Sequence, residues 1–573
     1  MENFLENFTG ANAIYINVYI AVLRWMAPAL ALILILRCIK PLMTFRREPE
    51  IWAWLCLEGG KKLPVTHWEN VIGRHRRSDI VVNFTTVSRN HAVLTRYDDG
   101  TWTIRDTDSA SGILLNGEQI EFEEVTPADT ITIGGIDMKL KPISAKQEKR
   151  LAQLRTRAAS PGESFANLLL LTVMQILICM AYLFSSGDHA ASVLTGFGGI
   201  VAAQWLLLLF YLIIRRTSFE VETIAFFLCT MGMAAIAAVK PQEAGKQLVA
   251  LLLGICIFLV VGWSVRDLDR AKKIRRLAAV ASVGLLLITF LFGKEYYGAK
   301  NWIVIGSLSI QPSELAKVCF VYAGAATMDR ILSKKNLFSF IVFSAALCGC
   351  LALMNDFGTA LIFFCAFLIV AFMRSGSIGT VTLAISSLGF AGVVALKIAP
   401  HALRRFSVWR NVWADPLNAG YQQTRALMCM ASGGLLGVGA GRGWMRRVFA
   451  ADSDVVVATI GEEWGLVMVL ILIVGVMALG VFAVRSSGVG RSSFYTIGAC
   501  TAAGIMLVQV MLNALGTVDV LPLTGVTFPF LSNGGSSMMA AWGLLAFIKA
   551  ADTRQNASFA VTLLKGKGED EDE

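Results

Sequence analysis

Charge is scarce in this chain. Asp, Glu, Lys and Arg make up 16% of its 573 residues, against roughly 25% in a soluble domain. Apolar runs long enough to cross a bilayer recur instead, and the mean hydropathy is +0.61, so the chain reads as a polytopic α-helical membrane protein. No Cys-x-x-Cys pair occurs among the 11 cysteines. Most of them, such as Cys179, Cys229, Cys256, Cys319 and Cys365, lie inside apolar runs. No zinc or disulfide framework is visible, and these thiols read as small buried hydrophobes. A Walker A sequence is missing, so ATP-driven transport has no support. Gly437-Val438-Gly439-Ala440-Gly441 mimics a dinucleotide fingerprint but lacks a strand–helix setting. No cleavable signal peptide is expected, because the first apolar run is long and has no small-residue cleavage pattern. A formal net charge of +10 in such a chain points to basic cytoplasmic loops and anionic lipid, with no nucleic-acid partner.

What is present divides the chain. The expected segments are an N-terminal transmembrane helix at 1–40, a cytoplasmic all-β sandwich at 55–145, and a basic juxtamembrane helix at 146–163. Two further transmembrane helices at 164–218, a helical core at 219–550 and a disordered cytoplasmic tail at 551–573 complete it. The sandwich rests on short β-branched alternations broken by turn signals: VVNF, AVLTRY, TWTIRD, GILLNG and TITIGG. Apolar runs give about 13 spans in all, among them 276–293, 314–332, 376–398 and 534–550. Arg37, Lys40, Arg46 and Arg47 place the end of the first span in the cytoplasm. Alternation then collects Arg215–Arg216, Arg266–Arg276, Lys334–Lys335, Arg374 and Arg485–Arg491 on that same side. The linkers near 294–313, 399–454 and 516–533 fall outside.

One outer stretch breaks the charge rule. Between His401 and Asp454 it holds seven Arg, no Lys and three Asp. Arg forks bond two oxygens at once and suit diphosphates. A basic, Gly-rich, aromatic-dotted loop ending in a carboxylate at a membrane boundary looks like a site for a charged lipid-linked substrate.

In the β segment, Gly73-Arg74, Ser88-Arg89-Asn90-His91 and Asn116-Gly117 resemble the forkhead-associated (FHA) domain, a phosphothreonine reader. The resemblance implies that Arg74 and Ser88 grip the phosphate with help from Arg89, and that Ser111 and Asn116 belong to the same site. It implies a phosphothreonine protein or a Ser/Thr kinase as partner. His91 is expected to prop the loop from inside. Ser111 stands where the family usually has Asn.

A second set of motifs follows in order: Gln311-Pro312-Ser313-Glu314 with Lys317, Asn355-Asp356-Phe357-Gly358, Asp415-Pro416, Gly420-Tyr421-Gln422, Asp454, Gly461-Glu462-Glu463, Pro522-Leu523-Thr524-Gly525 and Ser532-Asn533-Gly534-Gly535-Ser536-Ser537. Together they resemble the SEDS family (FtsW, RodA and SpoVE) over roughly residues 219–550. That implies a peptidoglycan glycosyltransferase with about ten core helices, polymerising lipid II outside the cytoplasmic membrane beside a class B penicillin-binding protein. It makes Asp454 the catalytic carboxylate, with Asp452 as rival.

The chemistry agrees. One carboxylate within hydrogen-bond reach can take the proton of the acceptor 4-hydroxyl, and the departing undecaprenyl diphosphate needs fixed cations. Candidate substrate-binding residues are Arg404, Arg405, Arg410, Arg446, Arg447, Lys300, Gln311, Asp356, Gln422, Gly534, Gly535 and Ser536. Gly534-Gly535-Ser536-Ser537 is expected to offer backbone donors as an anion nest. Glu314 and Lys317 form an intramembrane pair at i, i+3. An Asp at a helix N-terminus is a weakened base; a divalent cation, Mg or Mn, or burial by substrate would offset that. Asn301 and Asn533 replace the family's usual Arg and Tyr, and the run before Asp454 is short. A lipid II flippase and an inactive scaffold are the alternative readings.

Overall fold

The computed structural model describes residues 13–44, 51–144, 160–326, 334–389 and 406–557, except at a few positions inside these ranges. The juxtamembrane stretch up to residue 159, most of the run at 376–398, Arg404, Arg405 and the tail beyond 557 lie outside the described residues.

Period-two burial organises the N-terminal part. Its strands are β1 (Ala53–Leu57), β2 (Lys62–Val65), β3 (Glu69–Gly73), β4 (Ile80–Val81), β5 (Ala92–Arg96), β6 (Trp102–Asp106), β7 (Ile113–Leu115), β8 (Glu118–Ile120), β9 (Phe122–Glu124), β10 (Thr130–Ile133) and β11 (Ile136–Pro142). They form two sheets, ordered β2-β1-β11-β10-β7-β8 and β4-β3-β5-β6-β9. Burial alternates along β1 and β10, as a sheet with one face on a core requires. The expected sandwich is present.

The helices are α1 (Ala13–Met43), α2 (Pro161–Leu183), α3 (Ala190–Ile213), α4 (Glu220–Val239), α5 (Ala244–Ser264), α6 (Leu268–Phe292), α7 (Pro312–Gly324), α8 (Lys334–Leu353), α9 (Phe357–Ser375), α10 (Tyr421–Gly433), α11 (Val456–Ser487), α12 (Ser493–Thr517) and α13 (Gly535–Ala550). Among the described residues, 10 helices are long and apolar enough to cross a membrane. α7 and α13, with 13 and 16 residues, are shorter. α4 is the most enclosed of the ten and packs on α1, α2, α3 and α11.

Where hydrocarbon cannot hydrogen-bond, polar side chains pair with one another. Gln175 and Gln204 exchange reciprocal amide bonds of 3.0 and 2.8 Å, and Gln175 also donates to Thr230 at 2.9 Å. This pins α2 and α3 to α4.

Three expectations change. The basic run 266–276 is mostly helix, because Asp267 caps the start of α6 by accepting from the Asp269 amide. The linker after α6 holds a small sheet, β12 (Lys294–Tyr296), β13 (Ala299–Ile305) and β14 (Leu308–Ile310), whose aromatic and β-branched run Trp302-Ile303-Val304-Ile305 is a strand signal. The tail does not leave the body at 551. Asp552 and Arg554 are buried, Arg554 pairing with Asp552 at 2.7 Å and with Glu220 at 3.4 Å. Beside them Lys549 meets Glu222 at 3.1 Å. A buried charge needs such partners.

The sandwich is seated on the helices. Glu69, 2% exposed, accepts from the Ser492 hydroxyl (2.7 Å), the Ser493 hydroxyl (2.9 Å) and the Ser493 amide (3.2 Å). It places a carboxylate at the N-terminus of α12, where the helix field favours an anion. His67 Nδ1 lies 2.9 Å from Gly490 O, Trp68 meets Tyr495 edge-on, and Lys272 of α6 donates to the Tyr97 hydroxyl at 2.6 Å. α12 then runs 25 residues, roughly 37 Å at the helical rise, away from that seat.

Candidate functional site

At the far end of α12 the chain folds back to present Asp454. Turns through 448–455 lead into α11. The Asp454 amide donates to Ala450 O at 3.0 Å, and Ser453 Oγ donates to Asp454 Oδ1 at 3.2 Å. The side chain is half-buried. Gly525, at φ 71, lies against it: a Cβ there would stand 3.4 Å from Asp454 Oδ2, and that backbone conformation suits glycine.

The rival carboxylate has another setting. Asp452 is 1% exposed, pairs with Lys240 Nζ at 3.1 Å, and accepts from Asn533 Nδ2 at 2.6 Å. Asn533 also donates its backbone N–H to Asp452 O (2.8 Å) and its amide to Glu243 (2.6 Å). Asn533 is thus a clamp between α13's leading loop, the Asp452 turn and the start of α5. Lys240 and Glu243 were not singled out from sequence, and both lie far from Asp452 along it.

A second polar cluster assembles Asn301, Gln311, Asp356 and Ser536. Asp356 Oδ2 accepts from Asn301 (3.0 Å) and Gln311 (3.3 Å), while Oδ1 accepts from the Thr359 amide (3.1 Å) and caps α9. The Gln311 backbone N–H donates to Ser536 Oγ at 2.9 Å. Just along α7, Glu314 and Lys317 pair at 2.7 Å, both buried. The 524–527 loop lies between this cluster and Asp454: a Cβ on Gly358 would sit 3.2 Å from Thr524 O, and Gly525 faces Asp454.

The other expected residues are placed as follows. Arg446 and Arg447 are exposed on a short turn, with Arg447 6.0 Å over the Trp444 ring. Arg410 is exposed, and its backbone amide donates to Asp519. Gln422 donates to Phe449 O at 3.0 Å. Lys300 Nζ lies 5.7 Å over the Phe290 ring. The glycine turn before α13 differs from an open nest: Gly534 N donates to Gln247 Oε1 (3.4 Å), and Ser536 and Ser537 are buried. The dinucleotide mimic is a packing device. Gly437, at φ 79, lets the loop pair with α11, where Val438 N meets Glu462 O (2.8 Å) and Gly439 N meets Glu463 O (3.0 Å). Glu462 and Glu463 in turn accept from the Met445 and Gly443 amides, and Glu463 from Tyr182. Among the described residues no group of three His, Cys, Asp or Glu gathers as a metal-ligand set.

In the sandwich, Arg74 and Arg89 are exposed, Ser88 is half-buried, and the Arg74 amide bonds to Ser88 O at 2.9 Å. Ser88 Oγ accepts from the Ala110 amide (3.0 Å), joining the loop that carries Ser111. His91 is fully buried. Its Nδ1 accepts from Ser88 N (3.1 Å), so Nε2 carries the proton and donates to Gly112 O (2.9 Å). Asn116 turns to its own loop, donating to Asp129 (2.7 Å) and accepting from the Thr130 amide (2.9 Å). Its side chain is a turn brace.

Comparison with known proteins bears on both parts. The cell cycle protein family model FtsW/RodA/SpoVE matches residues 224–557, and an FHA domain model matches residues 70–134. The chain is 27% identical over 328 residues to a peptidoglycan glycosyltransferase RodA of Mycobacterium tuberculosis (strain ATCC 25618 / H37Rv), spanning 54% of this chain and 70% of that protein. It is 32% identical over 322 residues to a probable peptidoglycan glycosyltransferase FtsW of Nitrosococcus halophilus (strain Nc4), spanning 54% of this chain and 82% of that one. A solved structure described as the structural coordination of polymerization and crosslinking by a peptidoglycan synthase complex aligns at 24% identity and a TM-score of 0.49, over 58% of this chain and 96% of that one.

Proposed function

Because this chain belongs to the FtsW/RodA/SpoVE family of cell cycle proteins, we propose that it is a peptidoglycan glycosyltransferase whose catalytic carboxylate is Asp454. Its substrate is lipid II, polymerised on the outer face of a bacterial cytoplasmic membrane, with a class B penicillin-binding protein as partner. The supporting observation is the contrast between the two neighbouring aspartates. Asp452 is buried and committed to Lys240 and Asn533, whereas Asp454 is half-buried beside the Gly525 turn.

In this reading the acceptor 4-hydroxyl attacks the donor C1 and passes its proton to Asp454. The bond from C1 to the undecaprenyl diphosphate breaks, and its electron pair leaves with the diphosphate. Arg446 and Arg447 are exposed cations of the same loop and offset that growing charge. The cluster around Asp356 and Gln311 lines the approach on the other side of the 524–527 loop.

The FHA domain adds regulation. Arg74, Ser88 and Arg89 read a phosphothreonine on a cytoplasmic partner or kinase, through a guanidinium fork and a hydroxyl. The seat on α12 and the Asp454 turn lie at opposite ends of one membrane-length helix, in keeping with reading on one side and synthesis on the other.

The test is polymerisation of lipid II by purified protein with its partner. Asp454→Ala should abolish glycan strands while the protein remains monodisperse. Strand synthesis by that variant sinks the assignment, and lipid movement across vesicles without polymer supports a flippase instead.

A further inference from the structure

Asn513 lies in the last turns of α12, and it is 1% exposed. Its Nδ2 donates to Val526 O at 2.8 Å, to Asp454 O at 3.0 Å and to Ser453 O at 3.4 Å. An amide nitrogen has two protons, so one is shared between acceptors. The opposite orientation would set Oδ1 against three carbonyl oxygens, so the acceptors fix which way the amide points. Oδ1 itself is buried and has no hydrogen-bond partner among the described residues. The amide therefore gives up one good bond to keep both donors on this loop.

The three carbonyls belong to the two segments that frame the Asp454 carboxylate. Ser453 and Asp454 form its own turn. Val526 follows Gly525, whose backbone lies against Asp454 Oδ2. Ser532 adds a second tie by donating to Ser453 O at 2.7 Å. α12 is also held at its other end by the Glu69 carboxylate, so the amide projects from a helix fixed at both ends.

We propose that Asn513 is a positioning residue for glycan transfer: by clamping the Asp454 turn to the 525–526 turn it sets where the carboxylate meets the acceptor hydroxyl. The inference rests on Asp454 being the base. An error of about 1 Å at such a group costs on the order of a hundredfold in rate, and the clamp spans the backbone that would carry that error.

Full-length wild type, N513A, N513D and D454A are compared in lipid II polymerisation with the partner present. N513A should lower kcat by roughly 10- to 100-fold while KM for lipid II changes by less than about threefold. N513D faces three carbonyls and can donate only when protonated. Its rate relative to wild type should rise as the buffer goes from about pH 8 to about pH 6. A wild-type kcat in folded N513A, or a change confined to KM, overturns the proposal. Where N513A does not purify as a monodisperse protein, a flat N513D ratio across that pH range overturns it. Strand synthesis by D454A is a different failure, since it removes the base and leaves the clamp without a target.

Discussion

Asp452 and Asp454 differ by two positions and by everything that surrounds them. Sequence could name both, but it could not rank them by environment, because Lys240 and Asn533 reach Asp452 from other parts of the chain. Asp452→Ala should leave Lys240 able to rehydrate, since that side chain is 40% exposed. It should therefore cost only about 1–2 kcal/mol, read as a lower Tm in detergent, with some strand synthesis retained by the folded protein. In the sandwich, Asn116 and then Thr126 hold the Asp129 carboxyl below its ordinary value. A carboxyl depressed by folding stabilises the fold above its unfolded pKa and loses that contribution as pH falls through the folded value. The sandwich in the full chain should lose stability as pH drops below about 4, and Asn116→Ala should flatten that dependence. The check is hydrogen exchange in the sandwich across the acid range.

At the scale of elements, the long apolar helices and the alternating strands were legible because periodicity and length announce them. The small sheet β12–β14 and the start of α6 were not drawn from the sequence. A basic run such as 266–276 reads as a loop by charge, whereas the Asp267 cap makes it a helix. Asn513 carried a signal that went unused: a polar residue in an apolar helix is a functional candidate. The Gln175–Gln204 pair shows the structural use of the same residue type. Gln175→Leu alone should destabilise by about 0.6–2 kcal/mol, because the buried Gln204 Oε1 then loses its donor while Nε2 keeps Thr172. Gln175→Leu with Gln204→Leu should cost less than the sum of the two single changes. A double-mutant cycle on thermal unfolding in detergent measures this, and strict additivity would contradict the pairing.

For the whole molecule, β3 has Glu69 at one end and Gly73-Arg74 at the other. The docking contact and the proposed phosphate site therefore lie at opposite ends of this strand. None of this orientation could be read from sequence, since Glu69 looks like any surface glutamate until Ser492 and Ser493 close on it. Glu69→Ala should raise hydrogen exchange at 492–496 and in β3, with little change in α4. The seat also changes what it means to delete the sandwich. Cutting it away would uncover the first amides of α12 and strip the anion that the helix end prefers. The sandwich is thus an anchor for α12, and a chain without it would carry a frayed start to that span deep inside its helical part.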